Sequence, residues 1–392
     1  MARVVLDSDI VMDMWGGGRG GRWPSEAQEA VIRVALPGAE GPVSAWRRAR
    51  PFIQNGRLPA GAAALLPMIY RRLETAEIDD PEVARFRDEY LVAWSRNHIL
   101  IEALKGVVTD FAEQGIPTMA LKGAALLVQY YRDLGVRPMA DVDVLVPRGR
   151  AREAIKLLQQ RGWSAGSANV DRALRCQHSG NFVDTRGYSC DLHWQISPEL
   201  ALPGSIEHSD DDFWDKSVAL DLDGARTRGL EPSDQLLHIC LHGARSGGSL
   251  AWPVDAMTIL MATGERFDWA RFVEQALRRR AFLRIHRILA YLSARFGAPV
   301  PEAVLEELAA ARATIRDRVL AWADERWRPF VSPALVRYGH FTAGEGFGRA
   351  LRSLPGFLRD AWDLDHFWQV PAHGVRRIAE LLGPSRPSGP SR

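Results

Sequence analysis

The sequence predicts an α+β protein, in which a small α/β core with a mixed sheet is flanked by mostly α-helical N- and C-terminal regions. Apolar residues between Pro81 and Gln114 recur every three to four positions, which is the period of a helix. The period changes to two in Asp141–Val146, which is typical of a strand. Helical patterns return beyond about Gly229.

Composition limits the classes of function. The 392 residues correspond to two or three domains of ordinary size. Lys and Arg total 50 against 48 Asp and Glu, a net charge of +2, which argues against a protein that coats nucleic acid. The chain has only 3 cysteines, a small and odd number that does not suit a disulfide framework. With no apolar run long enough for a membrane span and no signal-peptide pattern, we expect a cytoplasmic protein without membrane partners.

The changes of pattern along the chain predict its domain organisation. Glycine-rich sequence marks a flexible leader, and Gly383–Arg392 has the composition of a disordered tail. The expected order is a leader over 1–25, a helical N-terminal region over 26–115, an α/β core over 116–228, a helical C-terminal domain over 229–382 and a tail over 383–392.

The α/β core is predicted from short segments. Ile116–Leu121 is a strand, Ala124–Tyr131 a helix, and Arg148–Gly162 a second, amphipathic helix. A hairpin is expected around the turn at Thr185–Gly187. After the core, helices are predicted over Pro232–Ala244, Val254–Ala262, Asp268–Phe296 and Pro301–Trp327.

Two aspartates in the core point to metal chemistry. Asp141 and Asp143 stand at i and i+2 of a strand, so their side chains project from the same face. Neighbouring carboxylates repel each other in a buried setting unless a cation lies between them. Hard cations such as Mg²⁺ suit oxygen ligands, so this pair predicts a divalent metal site.

A phosphate site is predicted beside the aspartates. The strand before them ends at Lys122-Gly123, and a helix follows at once, which leaves backbone N–H groups free for an anion. Lys122 adds a positive charge, and Arg137 can bind a phosphate with two N–H groups. Together these residues predict a cradle for a triphosphate next to a metal.

In the segments LKGAALL and YRDLGVRPMADVDVLV, a Gly-ended strand, a helix and Asp-x-Asp on the next strand occur in order. This arrangement resembles the polymerase-beta-like nucleotidyltransferase superfamily. The fuller pattern looks like its bacterial family of uncharacterised nucleotidyltransferases, which is similar to nucleotidyltransferase toxins of abortive-infection systems. The resemblance is carried by residues 116–194 and fits the helical flanks more loosely.

The resemblance implies roles for single residues. Asp141 and Asp143 would hold Mg²⁺ or Mn²⁺, and Asp191 on the later hairpin would be the third catalytic carboxylate, with His193 on the same strand face. Gly123 would admit the phosphates of a nucleoside triphosphate such as ATP. Ala124 departs from the Gly or Ser usual there, so a hydroxyl that could contact phosphate is missing.

These expectations describe a two-metal enzyme that transfers a nucleoside monophosphate from a nucleoside triphosphate to an acceptor hydroxyl. The sequence does not identify the acceptor, which can be a protein, a peptide, a small molecule or an RNA end. The RNA end is the less favoured of these. The main alternative is a catalytically degenerate fold that binds nucleotide or protein as an adaptor or antitoxin-like module. A zinc site built from Cys-His pairs and a nuclease site at Asp7 and Asp9 have less support, because zinc-type Cys spacing and a second acid cluster are missing.

Overall fold

A computed structural model gives the fold of most of the chain. Residues 1–22 of the expected leader and the whole expected tail, 383–392, lie outside the described residues. The described residues are 23–38, 41–53, 57–165, 169–203, 208–243, 249–315, 317–318, 321, 338–339, 342, 347–362 and 364–382.

A seven-stranded mixed sheet forms the centre of the molecule, with the strand order β3-β4-β5-β2-β1-β7-β6. Pairing is parallel between β2 and β5 and between β1 and β7, and antiparallel elsewhere. The strands are β1 Met119–Leu121, β2 Val142–Leu145, β3 Ser164–Ala165, β4 Ser179–Val183, β5 Ser189–His193, β6 Val218–Leu222 and β7 Ala225–Gly229.

Helices flank the sheet on the N- and C-terminal sides of the chain, as the α+β prediction requires. None of those in the described part of the chain combines the length and the apolar character needed to cross a membrane. The helices are α1 Glu26–Ala35, α2 Pro42–Ala49, α3 Leu66–Thr75, α4 Pro81–Glu113, α5 Lys122–Leu126, α6 Ala151–Gln160, α7 Val170–Cys176, α8 Asp211–Lys216, α9 Pro232–Gly243, α10 Ala251–Thr263, α11 Trp269–Arg278, α12 Phe282–Phe296, α13 Glu302–Ala310, α14 Phe347–Ala361 and α15 Gln369–Leu382.

The long helix α4 shows why these residues form this element. Asp80 caps its first turn by accepting a hydrogen bond from the backbone N–H of Glu82 at 2.9 Å, and Pro81 stands at the first position, where no donor is needed. Its buried residues, among them Leu104 and Phe111, pack into one continuous apolar core with the sheet. The helix therefore covers one side of the α/β core.

The hairpin predicted around Thr185–Gly187 is confirmed as β4 and β5, which pair antiparallel. A second hairpin, β6 and β7, was not predicted, although Asp223-Gly224 at its turn is a strong hairpin signal. Asp223 and Gly224 both have positive φ, as a tight turn of this kind requires. The sheet is therefore wider than the sequence analysis expected.

Two predicted C-terminal helices have different bounds. The single helix expected over Asp268–Phe296 is wrong, because the chain breaks between α11 and α12 at Arg280, whose φ is +56°. The break carries an ion pair from Arg280 to Asp317. The first part of the helix expected over Pro301–Trp327 is α13, which ends at Ala310. The second part of the expected range falls on residues that the structure describes only in places.

Candidate active site

Three adjacent strands bring the predicted acids together. Asp143 on β2 lies beside Leu121 of β1 on one side and beside Asp191 of β5 on the other. Lys122 directly follows Leu121, so a positive charge enters the same row at the end of β1. The central position of β2 thus places one carboxylate between a second carboxylate and an ammonium group.

The two carboxylates form a ligand group with a histidine. One ligand atom from each of Asp143, Asp191 and His193 lies within 4.8 Å of the others. Asp143 and His193 are buried, and Asp191 is half-buried. The side-chain amide of Asn181 on β4 donates to Asp191 Oδ1 at 2.9 Å, which fixes that carboxylate from the side of the hairpin.

Asp143 carries the strongest local charge interactions. Its Oδ1 accepts from Lys122 Nζ at 2.5 Å and lies 3.0 Å from His193 Nε2. Burial by itself would raise the pKa of Asp143, but the charge of Lys122 and the His193 hydrogen bond lower it well below the usual range. Asp143 is therefore ionised at any physiological pH.

Asp141 has a different environment from the other two acids. It precedes the first residue of β2 and is half-buried, and it does not belong to the 4.8 Å ligand group. Burial and the negative charges of Asp143 and Asp191 raise its pKa. The structure thus brings Asp141 to the same cleft, while His193 takes the third place in the ligand group.

The donor set fits a divalent cation. Two carboxylates, one of them firmly ionised, concentrate negative charge in a small volume, and oxygen ligands of this kind suit Mg²⁺ or Mn²⁺. An imidazole is also a common metal ligand. The residues that would hold the ion are Asp143, Asp191 and His193, with Asp141 at the margin.

The turn between β1 and α5 is tightly built. Helix α5 begins at Lys122 rather than at Ala124, and Lys122 adopts a φ of +46°, which is uncommon for a residue other than glycine. A Cβ on Gly123 would lie 2.8 Å from Met139 Cγ and 2.9 Å from Arg137 Nη1, so glycine is needed for close packing. Ala124 is buried in the core.

Arg137 is held by a carboxylate from the C-terminal helical region. Its Nε and Nη2 donate to the two oxygens of Asp255 on α10, both at 2.9 Å, and the Tyr131 hydroxyl donates to Asp255 Oδ1 at 2.7 Å. We call these three residues the cleft triad. Burial alone would lower the pKa of Arg137, but Asp255 raises it, so the guanidinium stays charged.

The loop that carries Arg137 is fixed by one side chain of helix α4. The Asn97 amide donates to the backbone oxygens of Leu134 and Arg137 at 2.6 and 2.8 Å, and Asn97 Oδ1 accepts from the backbone N–H of Met139 at 3.1 Å. Asn97 is fully buried. Sequence analysis missed it, because an asparagine within a helical pattern carries no signal of a distant loop.

Two histidines of helix α9 face this region. His242 is among the residues that surround the cleft, and burial together with the charge of Lys122 lowers its pKa to about 4, so its ring is neutral at pH 7. His238, one turn earlier, is fully buried, and neither ring nitrogen has a hydrogen-bond partner among the described residues. The i, i+4 spacing places the two residues on the same face of α9.

The predicted residues meet at one cleft with a volume of about 180 Å³. Both predicted cations and two of the predicted acids are on its wall, next to Asp255 and residues of α9. Asp191 and His193 reach it through their contacts with Asp143. The residues around the cleft include Lys122, Gly123, Arg137, Asp141, Asp143 and Asp255.

The mixed sheet with aspartates on adjacent strands, next to a Lys-Gly turn, is the arrangement that the resemblance to nucleotidyltransferases implies. The sequence model of the family described as "uncharacterised nucleotidyltransferase" matches residues 60–297, more than half of the 392 residues. The chain belongs to this family, which confirms the resemblance to the uncharacterised nucleotidyltransferases. The match includes both the α/β core and parts of the helical regions on either side.

Other comparisons add little. No curated protein matches the chain at a significant level. Among solved structures, the chain is similar to the crystal structure of an antigenic nucleotidyltransferase-like protein from Paracoccidioides brasiliensis, with 14% sequence identity and a TM-score of 0.35. That match covers 53% of this chain and 96% of the other. A similarity of this size carries no argument about substrates.

Proposed function

We propose that the protein transfers a nucleoside monophosphate from a nucleoside triphosphate to an acceptor hydroxyl, with Mg²⁺ or Mn²⁺ as the metal. The observation that carries the proposal is the meeting of Asp143, Asp191 and His193 with Lys122 and Arg137 at one cleft. This reaction needs carboxylates that converge on a metal ion and positively charged side chains that bind the phosphates.

The side chains have separate tasks in this proposal. A divalent cation, when bound, stabilises negative charge on the reacting phosphate and makes the acceptor hydroxyl a better nucleophile. Asp143, which stays ionised, and Asp191, which Asn181 orients, are the principal ligands. Lys122 and Arg137 hold the phosphates. Both cations stay charged at pH 7, because aspartates raise their pKa values.

The test is the transfer of label from each α-labelled nucleoside triphosphate to components of a cell lysate, with Mg²⁺ or Mn²⁺ present. We expect labelled product from the wild-type chain. Asp143→Asn should reduce transfer on the order of 10³-fold, because one carboxylate charge is removed from the point where the cation binds.

A matched control comes from an exposed aspartate outside the cleft. Asp223, in the β6–β7 turn, pairs with Lys105, and its side chain is 92% exposed. Asp223→Asn keeps the turn, because asparagine also tolerates a positive φ, and should leave transfer unchanged. Equal activity of wild type and Asp143→Asn would contradict the proposal.

The acceptor is proposed by class only. A protein or peptide hydroxyl, a small molecule and, less favoured, an RNA end are the candidates, and separating the labelled lysate into these fractions identifies the class. Nuclease treatment that removes the label would point to RNA, and protease treatment that removes it would point to a protein.

A second candidate is a nucleotide-binding module without transfer activity. It is favoured by Ala124, which offers the phosphates no hydroxyl, and by the ion pair Lys122–Asp143, in which the ammonium group competes with a catalytic metal ion for a carboxylate oxygen. In this case the wild-type chain would bind nucleotide in the presence of metal, and no fraction of the lysate would become labelled.

A further inference from the structure

Arg137 is bound to the protein at one end of its guanidinium only. Nε and Nη2 both donate to Asp255, whereas no acceptor among the described residues bonds Nη1. Nη1 lies 2.9 Å from the position that a Cβ on Gly123 would take. The unpaired end therefore lies over the Lys-Gly turn, on the wall of the cleft.

Asp255 is itself held by more than Arg137. The Tyr131 hydroxyl donates to the same Oδ1 that accepts from Arg137 Nε. The Asp255 side chain is 2% exposed and that of Arg137 is 16% exposed. A bidentate pair in such a buried place allows one orientation of the guanidinium plane, because both of its N–H bonds on that edge are fixed.

We propose that Asp255 and Tyr131 are positioning residues, which orient Arg137 so that its Nη1 end binds the triphosphate of the donor nucleotide above Gly123. This inference rests on the proposed function. It also gives the helical C-terminal region a part in holding the donor, since Asp255 belongs to α10.

The experiment measures binding of inorganic triphosphate to the full-length chain by calorimetry, with Mg²⁺ present. We expect Arg137→Gln to weaken binding about tenfold, the effect of one lost charge-assisted hydrogen bond. Asp255→Asn should weaken it to a similar extent, because Arg137 is no longer held in place. The double variant Arg137→Gln/Asp255→Asn should bind no more weakly than Arg137→Gln, because Asp255 acts only through Arg137.

The control is Glu29→Gln, which breaks another arginine–carboxylate–tyrosine group, in which Glu29 and Tyr291 are buried and Arg295 is partly exposed. Triphosphate binding should not change in this variant even if the chain becomes less stable. A general loss of stability would weaken binding in both carboxylate variants, whereas a positioning role weakens it only in Asp255→Asn.

If Asp255→Asn does not fold, Tyr131→Phe provides the test, since it removes one donor and leaves the ion pair. It should weaken binding by a few-fold in the wild-type background and not at all in Arg137→Gln. Unchanged affinity in Asp255→Asn or Tyr131→Phe, with a loss in Arg137→Gln, would overturn the positioning role alone. A wild-type chain that binds no triphosphate would overturn the proposed function, and the inference with it.

Discussion

Among the residues that the structure describes, an arginine, a carboxylate and a tyrosine form the same hydrogen-bonded arrangement in two different settings. In the cleft triad, Asp255 joins Arg137 and Tyr131 between the α/β core and α10. In a second group, an arginine and a tyrosine of α12 bind a carboxylate of α1 with contacts of 2.5–3.1 Å. We call this the remote triad, and its residues are Glu29, Tyr291 and Arg295.

The difference between the triads lies in what surrounds the arginine. The Arg137 side chain is 16% exposed and lies on the wall of the cleft, near Lys122 and two aspartates. The Arg295 side chain is 43% exposed. An arginine–carboxylate pair that only connects two helices needs no access to a ligand. In the cleft triad, one end of the Arg137 guanidinium stays available to bind a ligand. Burial and neighbouring charges, rather than the ion pair itself, therefore distinguish an arginine that can bind a ligand from one that only connects two helices.

The largest difference should be in stability. Asp255→Asn leaves a buried guanidinium without its counter-charge and should reduce the free energy of unfolding by about 3–5 kcal/mol. Glu29→Gln should cost only about 1 kcal/mol, because water screens the more exposed Arg295. Urea unfolding, followed by circular dichroism, measures both. Equal losses would show that burial does not separate the two triads.

Low pH should reduce stability more through the histidine beside the cleft than through the one on the helix of the remote triad. The pKa of His242 is lowered to about 4 in the folded state from 6.5, so between these pH values the unfolded chain binds a proton that the folded chain does not. The contribution of His242 to stability should therefore fall by up to about 3 kcal/mol as the pH drops from 6.5 to 4.

The control for acid is a histidine on the helix of the remote triad. Burial and Arg287 lower the pKa of His286 as well, but this ring is less buried than His242. His242→Gln should remove more of the pH dependence of unfolding than His286→Gln. A larger effect of His286→Gln would assign the acid sensitivity to α12 instead.

The smallest effects are expected for the tyrosines. Tyr131→Phe and Tyr291→Phe each remove one hydrogen bond to a buried carboxylate, and each should cost about 1 kcal/mol of stability. Only Tyr131→Phe should also raise the KM for nucleoside triphosphate, by a few-fold. If both variants raise KM equally, the cleft triad has no special relation to the site.

The parts of the site that strand geometry controls were predictable from the sequence. A period of two placed Asp141 and Asp143 on one face, whereas the family resemblance singled out Asp191 and His193 on the hairpin. The adjacency of Asp143 and Asp191 in the sheet and of His193 to Asp143 agrees with this expectation. Alternation along one strand is a local property, so the sequence contains it directly.

The long-range contacts of the site were not predictable in the same way. Arg137 and Asp255 are 118 positions apart, and no local pattern in either segment indicates that the two residues are in contact. The chain break at Arg280 has no glycine or proline to announce it. Such contacts depend on how helices pack against each other, and a local sequence pattern does not encode that packing.

The parallel pairing of β1 with β7 has a consequence for how the protein folds during its synthesis. The ribosome makes β1 and β2 early, but the partner of β1 on its other side ends only at Gly229, and Asp255 emerges later still. A nascent chain that already contains both cations and all three aspartates therefore still lacks the carboxylate that holds Arg137. The cleft is completed only as translation passes α10, so an unfinished chain cannot present the arrangement of the finished one.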